Sequence, residues 1–266
     1  MSLDPQKRFG QHFLRDPAVL RDILALGRPA AGEDVLEIGA GEGALTRVLL
    51  EAGARVVAVE LDRTLIPGLE KLAAEAPGLE VREGDAMRLE IESLPSPMKV
   101  IANLPYQIAT GLLSNLCRWP GRFPLMVVMV QREVGLRLAA SPGGKDYGSL
   151  TLWVGHRYEA ELCRIVPPGA FRPPPQVDSA LVRLTARPGP RVEVPDEDAY
   201  FGLIRSAFAH RRKMLINNLR ALPAPGEGGK ETDWQGVLER AGVDGRRRAE
   251  TLGAEEFAQI ARALAP

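Results

Sequence analysis

From Asp34 onward the chain alternates short apolar runs with amphipathic stretches, and this alternation restricts its fold more than any other feature. The runs occupy residues 35–38, 55–59, 79–82, 98–102 and 125–130. Between the first two, Leu45, Val48, Leu49 and Ala52 recur at helical spacing, and Gly53 supplies a stop. Parallel strands need a crossover, and a crossover helix covers the sheet face. The pattern therefore predicts an α/β fold, a mostly parallel sheet with helices on both faces. Two later runs, residues 158–166 and 179–184, are joined by a Pro-rich segment without a helix, which predicts an antiparallel pair at the sheet edge. After Arg187-Pro188-Gly189-Pro190 the texture changes. Residues 196–222 read as one helix with Tyr200, Leu203, Ile204, Phe208, Leu215 and Leu219 as its apolar positions. A Pro/Gly-rich loop follows at 223–229, then short helices around 234–241 and 254–263. A boundary within 188–195 divides an α/β domain, residues 1–189, from a helical domain, residues 190–266.

Composition narrows the class without choosing a function. The 266 residues are 45% hydrophobic and 26% charged, enough to bury a sizeable core. Lys plus Arg equals Asp plus Glu at 34 each, so only the distribution of charge is informative. Residues 201–248 hold ten Lys or Arg against five Asp or Glu, a local excess that suits contact with phosphate at one end of the molecule. Cys117 and Cys163 have no metal-ligand spacing and lie in apolar surroundings; both are expected to be free, buried thiols in a reducing compartment. The N-terminal segment has no apolar core of a signal peptide, and no run is long enough for a membrane span. A soluble cytoplasmic protein without a bound metal is expected.

In open α/β sheets ligands bind beyond the carboxyl ends of the strands, and these ends carry the informative residues. The first strand runs into Glu37-Ile38-Gly39-Ala40-Gly41-Glu42-Gly43. The spacing is G-x-G-x-G, with an acid two positions before the first glycine. A pyrophosphate loop uses a helix N-terminus to hold anionic charge; S-adenosylmethionine is cationic at sulfur and tolerates nearby carboxylates. The loop therefore favours S-adenosylmethionine over a nicotinamide dinucleotide. Glu60, 21 residues beyond Gly39, can accept both ribose hydroxyls, and Asp85 can accept a hydrogen bond from the adenine amine. Singly, each acid also fits a solvated loop charge; three at successive strand ends point to a site. The fourth strand ends in Asn103-Leu104-Pro105-Tyr106. The Asn103 carboxamide and a turn carbonyl can accept hydrogen bonds from an exocyclic amine, while Tyr106 can stack on the ring that bears it. Pro105 fixes its own φ and keeps Leu104 out of helix. Alone, the tetrapeptide also fits an ordinary strand-ending turn.

Read together, these residues resemble the ribosomal RNA adenine dimethyltransferase family. The resemblance extends over nearly the whole chain. It takes in Phe9-Gly10-Gln11-His12-Phe13-Leu14, the glycine loop, Glu60-Leu61-Asp62, Gly84-Asp85-Ala86 and the Asn103–Tyr106 turn. It continues through Phe171-Arg172-Pro173-Pro174-Pro175-Gln176-Val177-Asp178-Ser179 and Phe208-Ala209-His210-Arg211-Arg212-Lys213. It implies a Rossmann-like methyltransferase sheet with an N-terminal arm and a helical accessory domain for RNA contact. It also implies S-adenosylmethionine as cofactor. His12 and Leu14 then cover the cofactor from the arm, while Gly39, Gly41, Glu60, Leu61, Asp85, Ala86 and Asn103 complete its pocket. Many members carry Asn where His12 stands, so a backbone contact is expected there. Gln107-Ile108-Ala109-Thr110 also departs from the common Asn-Ile-Ser-Thr.

The small-subunit branch of the family dimethylates two adjacent adenosines in the hairpin loop near the 3′ end of 16S rRNA during subunit assembly. The Leu104 form of the turn and the run from Phe208 to Leu219 resemble that branch more than the large-subunit, macrolide-resistance branch. By this resemblance Asn103 and the Leu104 carbonyl accept the two N6 protons, Pro105 holds the turn, and Tyr106 and Phe171 clamp an extruded base. No general base is assigned. Arg211, Arg212, Lys213, Arg220, Arg246, Arg247 and Arg248 are expected to contact phosphates of 16S rRNA within the small subunit or its precursor, the protein acting as a monomer. Two other classes remain open at this point: a noncatalytic assembly factor on the same fold, and an oxidoreductase.

Overall fold

The computed structural model describes residues 11–220 and 232–264; Phe9 and Gly10 of the N-terminal motif and the 223–229 loop lie outside them. The chain divides into two compact units, one of Met1–Leu136 with Tyr158–Ala186, the other of Arg137–Arg157 with Arg187–Pro266. The second thus takes in a segment that the sequence pattern leaves with the sheet.

In the first unit the chain forms β1 (Phe13–Leu14), α1 (Pro17–Gly27), β2 (Asp34–Ile38), α2 (Ala44–Glu51), β3 (Arg55–Glu60), α3 (Ile66–Glu75) and β4 (Leu79–Glu83). There follow β5 (Lys99–Asn103), α4 (Ala109–Leu116), β6 (Leu125–Gln131) and α5 (Arg132–Leu138). After α6 (Ser149–Arg157), which belongs to the second unit, the first unit resumes with β7 (Tyr158–Val166), β8 (Phe171–Arg172) and β9 (Ser179–Ala186). The seven-stranded sheet has the order β4-β3-β2-β5-β6-β9-β7. Strands β2 to β6 pair in parallel, as their crossover helices require, and β9 runs antiparallel to both β6 and β7. The expected antiparallel pair is there, with the later strand inserted next to β6.

The strand order reverses between β2 and β5, so the loops leaving these two strands diverge and open a crevice at their carboxyl ends. The apolar interiors of β5 and β6 are buried, which fixes the register of the turn at Asn103. A second, two-stranded sheet pairs β1 with β8, Phe13 opposite Arg172 and Leu14 opposite Phe171. It draws the N-terminal arm across the sheet end. Just beyond it Asp16 caps α1 by accepting from the Ala18 amide at 2.7 Å, with Pro17 at the first helical position.

The second unit packs α7 (Glu197–Ala207), α8 (Leu215–Leu219), α9 (Trp234–Arg240) and α10 (Ala254–Leu264) around Tyr200, Leu203, Leu219, Trp234 and Phe257. The long helix expected over 196–222 is broken at 208–214. The buried Asn218 explains the break: its Nδ2 donates to the Ala207 carbonyl at 2.7 Å and to His210 at 3.1 Å. The side chain thus satisfies carbonyls at the end of α7 that a continuous helix would have paired. The amides of Leu215 and Ile216 turn instead to the carbonyls of Arg247 and Gly245.

Cys117 is buried as expected, whereas Cys163 is half-exposed, beside the irregularity between Leu162 and Arg164 on the edge strand β7. Among the described residues no helix is long and apolar enough to cross a membrane, and no three His, Cys, Asp or Glu gather to hold a metal ion.

Candidate active site

A cavity of about 250 Å³ lies at the carboxyl ends of β2 to β5, under the N-terminal arm. The glycine loop forms one wall. Gly41 sits at φ 59°, and a Cβ there would stand 2.9 Å from the Phe13 ring; Gly39 sits at φ 75°, and a Cβ there would stand 3.1 Å from the Pro105 ring. Side chains at either position would push the arm or the Asn103–Tyr106 turn away.

Glu60 braces this wall. Its Oε2 accepts the Gly41 amide at 2.8 Å, and its Oε1 accepts the amides of Leu61 and Asp62, each at 2.9 Å. A carboxylate offers about four lone-pair positions, so one on Oε2 is left for a ligand among the described residues. Glu37, next to it on β2, is buried and accepts the Thr46 hydroxyl at 2.6 Å. Burial, reinforced by the charge of Glu60, pushes its carboxyl up from 4.5 to about 8, so it is largely protonated at neutral pH. Asp62 accepts from Gln11 Nε2 at 3.1 Å and from the Thr64 hydroxyl at 2.7 Å, tying the arm to the end of β3. Asp85 accepts the Met87 amide at 2.9 Å, capping a short helical turn over Ala86–Arg88. Leu61 and Met87 remain 52% and 38% exposed although both line the cavity, an apolar surface fit for a flat ring. The lining includes the carboxyl groups of Glu60, Asp62 and Asp85, with Glu37 protonated and Glu42 paired with Arg15, and, among the described residues, no Lys or Arg. Such walls disfavour a pyrophosphate and suit a cationic ligand.

Across the cavity, Asn103 ends β5 with its Nδ2 donating to the His12 carbonyl at 3.2 Å. That bond orients the amide and leaves Oδ1 buried, with no partner among the described residues. Leaving a buried acceptor unpaired costs about 1–3 kcal/mol, a cost a ligand donor removes. The Leu104 amide is pinned to the Met129 carbonyl at 3.0 Å, which holds the turn on the sheet. Tyr106 is half-exposed, and its hydroxyl shares a 2.5 Å hydrogen bond with Ser179. His12 Nδ1 donates to the Pro173 carbonyl at 2.8 Å, and its ring lies 5.9 Å from that of Tyr106.

The cavity thus unites His12, Leu14, Gly39, Gly41, Glu60, Leu61, Asp85, Ala86, Asn103, Leu104, Pro105 and Tyr106. Phe171 stands apart. Its ring is 2% exposed in the core with Leu14, Val19 and Ile23, where Leu14 is its β1 partner, so it offers no face to a base in this conformation. Gln11, Phe13, Asp62 and Ser179 also build the site without having been singled out in the sequence, although all four stand inside the quoted motifs.

In the second unit the basic residues separate into two groups. Arg211 pairs with Glu250 at 3.2 Å, Arg246 with Asp244 at 3.1 Å, and Arg247 with Glu256. Arg212, Lys213, Arg220 and Arg248 are exposed, and their side chains pair with no carboxylate among the described residues. Arg212 and Lys213 lie on the turn that Asn218 holds between α7 and α8.

Residues 3–264 match the family profile described as Ribosomal RNA adenine dimethylase. The chain is 40% identical over 257 residues to Ribosomal RNA small subunit methyltransferase A of Clostridium acetobutylicum, covering 96% of this chain and 91% of that protein. It is 44% identical over 273 residues to the protein of the same name from Magnetococcus marinus, covering 99% and 93%. Among solved structures, a dimethyladenosine transferase from Plasmodium falciparum superposes with a TM-score of 0.79 at 26% identity, covering 94% of this chain and 96% of that one. The 23S rRNA methyltransferase ErmE superposes at 0.69 and 26% identity, covering 95% and 99%.

Proposed function

The chain belongs to the ribosomal RNA adenine dimethylase family, and on that premise we propose that it dimethylates the N6 amines of two adjacent adenosines in the 3′-end hairpin loop of 16S rRNA, using S-adenosylmethionine. The observation that carries this reading is the buried Asn103 Oδ1, an oriented acceptor with no partner among the described residues, beside the half-exposed Tyr106 ring. An exocyclic amine on a flat ring meets both.

The cavity fits the cofactor. Glu60 Oε2 retains a position for a ribose hydroxyl, Asp85 for an amine, and Leu61 and Met87 flank the place of the adenine. The acidic lining is compatible with a sulfonium. When bound, S-adenosylmethionine supplies a methyl group open to in-line displacement by a nucleophile.

The protein's own residues make the adenine amine that nucleophile. Its lone pair is delocalised into the ring, and hydrogen bonds from its two protons to Asn103 Oδ1 and the Leu104 carbonyl favour the pyramidal form. Tyr106 holds the ring by stacking. Orientation of this kind is the chief contribution an enzyme makes to such a transfer. No side chain is needed as base, because the alkylated nitrogen loses its proton readily to water. Phe171 serves from the core, supporting the arm through the β1–β8 pairing. Arg212, Lys213, Arg220 and Arg248 contact rRNA phosphates, which positions the substrate without reading its sequence. The protein does this as a cytoplasmic monomer.

The test is incubation with methyl-labelled S-adenosylmethionine and purified small or large ribosomal subunits lacking the modification. Label in small-subunit RNA alone is expected. Label confined to large-subunit RNA, or none in either, would refute the proposal.

A further inference from the structure

Tyr106 stacks through its ring, and phenylalanine has the same ring; the hydroxyl therefore needs a separate explanation. It lies 2.5 Å from Ser179 Oγ. Ser179 is fully buried at the first position of β9, opposite Gln131 of β6 and Val166 of β7, a mount flanked by strands on both sides. Tyr106, by contrast, belongs to the turn after β5 and is half-exposed. The hydrogen bond is thus a strut from the sheet to the far end of the aromatic ring. Without it the ring keeps two free torsions at the mouth of the cavity.

We propose that Ser179 is a positioning residue: it fixes the plane of the Tyr106 ring, and through that ring the angle at which the target base presents its amine to Asn103. The inference rests on the proposed reaction. One segment then secures two walls of the site, since the Pro173 carbonyl holds His12 of the arm and Ser179 holds Tyr106. Ser179 touches no reacting atom, so its effect belongs on turnover. Subunit affinity comes mainly from phosphate and shape contacts elsewhere.

The experiment compares wild type with Ser179→Ala, Tyr106→Phe and the double variant, measuring kcat, KM for small subunits, cofactor Kd and Tm. Each single variant should lower kcat about three- to tenfold, the range of a lost neutral hydrogen bond, with KM and cofactor Kd unchanged. The double variant should be no slower than the singles, because both remove the same bond. Tyr106→Phe breaks the strut without altering β9, so it tests the idea even if Ser179→Ala lowers Tm. Unchanged kcat in Tyr106→Phe, or multiplicative losses in the double variant, would overturn the assignment while leaving the proposed reaction standing. A wild type inert on both subunits would bring down the reaction, and this inference with it.

Discussion

At the scale of single residues, two neighbouring carboxylates of the site sit in different surroundings. Glu60 accepts three backbone amides, whereas burial pushes the Glu37 carboxyl up to about 8 despite its hydrogen bonding with Thr46. In the unfolded chain Glu37 ionises near 4.5. Between those values the native state holds the extra proton, so this residue's contribution to stability is full below 4.5 and is lost as pH rises through 8. Glu37→Gln should therefore raise Tm at pH 8, with an advantage that shrinks toward pH 5; a constant offset across that range would show that Glu37 does not titrate as described. Glu60→Ala should weaken S-adenosylmethionine binding by about 1.5–3 kcal/mol, the worth of hydrogen bonds to a charged group. It should also lower Tm, since the glycine loop loses its brace. Calorimetry giving wild-type affinity would take Glu60 out of the site. The position of Glu60 at a strand end was legible in the sequence; its three amide partners were not, because they depend on a turn geometry with no signature of its own. Phe171 shows the opposite limit: its motif was plain, but only the packing of β8 against β1 reveals a buried ring.

At the scale of elements, the parallel strands β2, β3, β5 and β6 were legible because each carries a continuous apolar run that must be buried on both faces, whereas β4 at the sheet edge alternates apolar and charged residues. The β1–β8 pair was not, being two residues on each side with no periodicity to detect. Nor was the break between α7 and α8, which depends on Asn218 reaching back to Ala207. That break puts Arg212 and Lys213 on an exposed turn, free of the carboxylates that neutralise Arg211, Arg246 and Arg247. Replacing Arg212 and Lys213 together by Ala should weaken binding to small subunits and make it less sensitive to salt, because fewer counterions are released. Cofactor affinity should not change. Arg246→Ala, which removes a charge already paired with Asp244, should do much less. Equal effects of the two variants would mean that net charge, rather than the turn, governs RNA binding.

At the scale of the whole molecule, the sheet supplies a rigid edge, the reversal between β2 and β5 opens the crevice, and the arm closes it over Asn103. The second unit adds exposed cations with no part in the cavity. On the proposed assignment, holding the RNA and orienting the amine fall to different residues, so the two should fail independently. The most direct measurement is mass-spectrometric mapping of 16S rRNA from unmodified small subunits after reaction with wild type and with Asn103→Ala. Wild type should convert two adjacent adenosines of the 3′-end hairpin loop to N6,N6-dimethyladenosine. Asn103→Ala should still bind the subunit yet leave both adenosines unmodified or nearly so. Full dimethylation by Asn103→Ala, or methylation by wild type at any other nucleotide in place of these, would contradict the account.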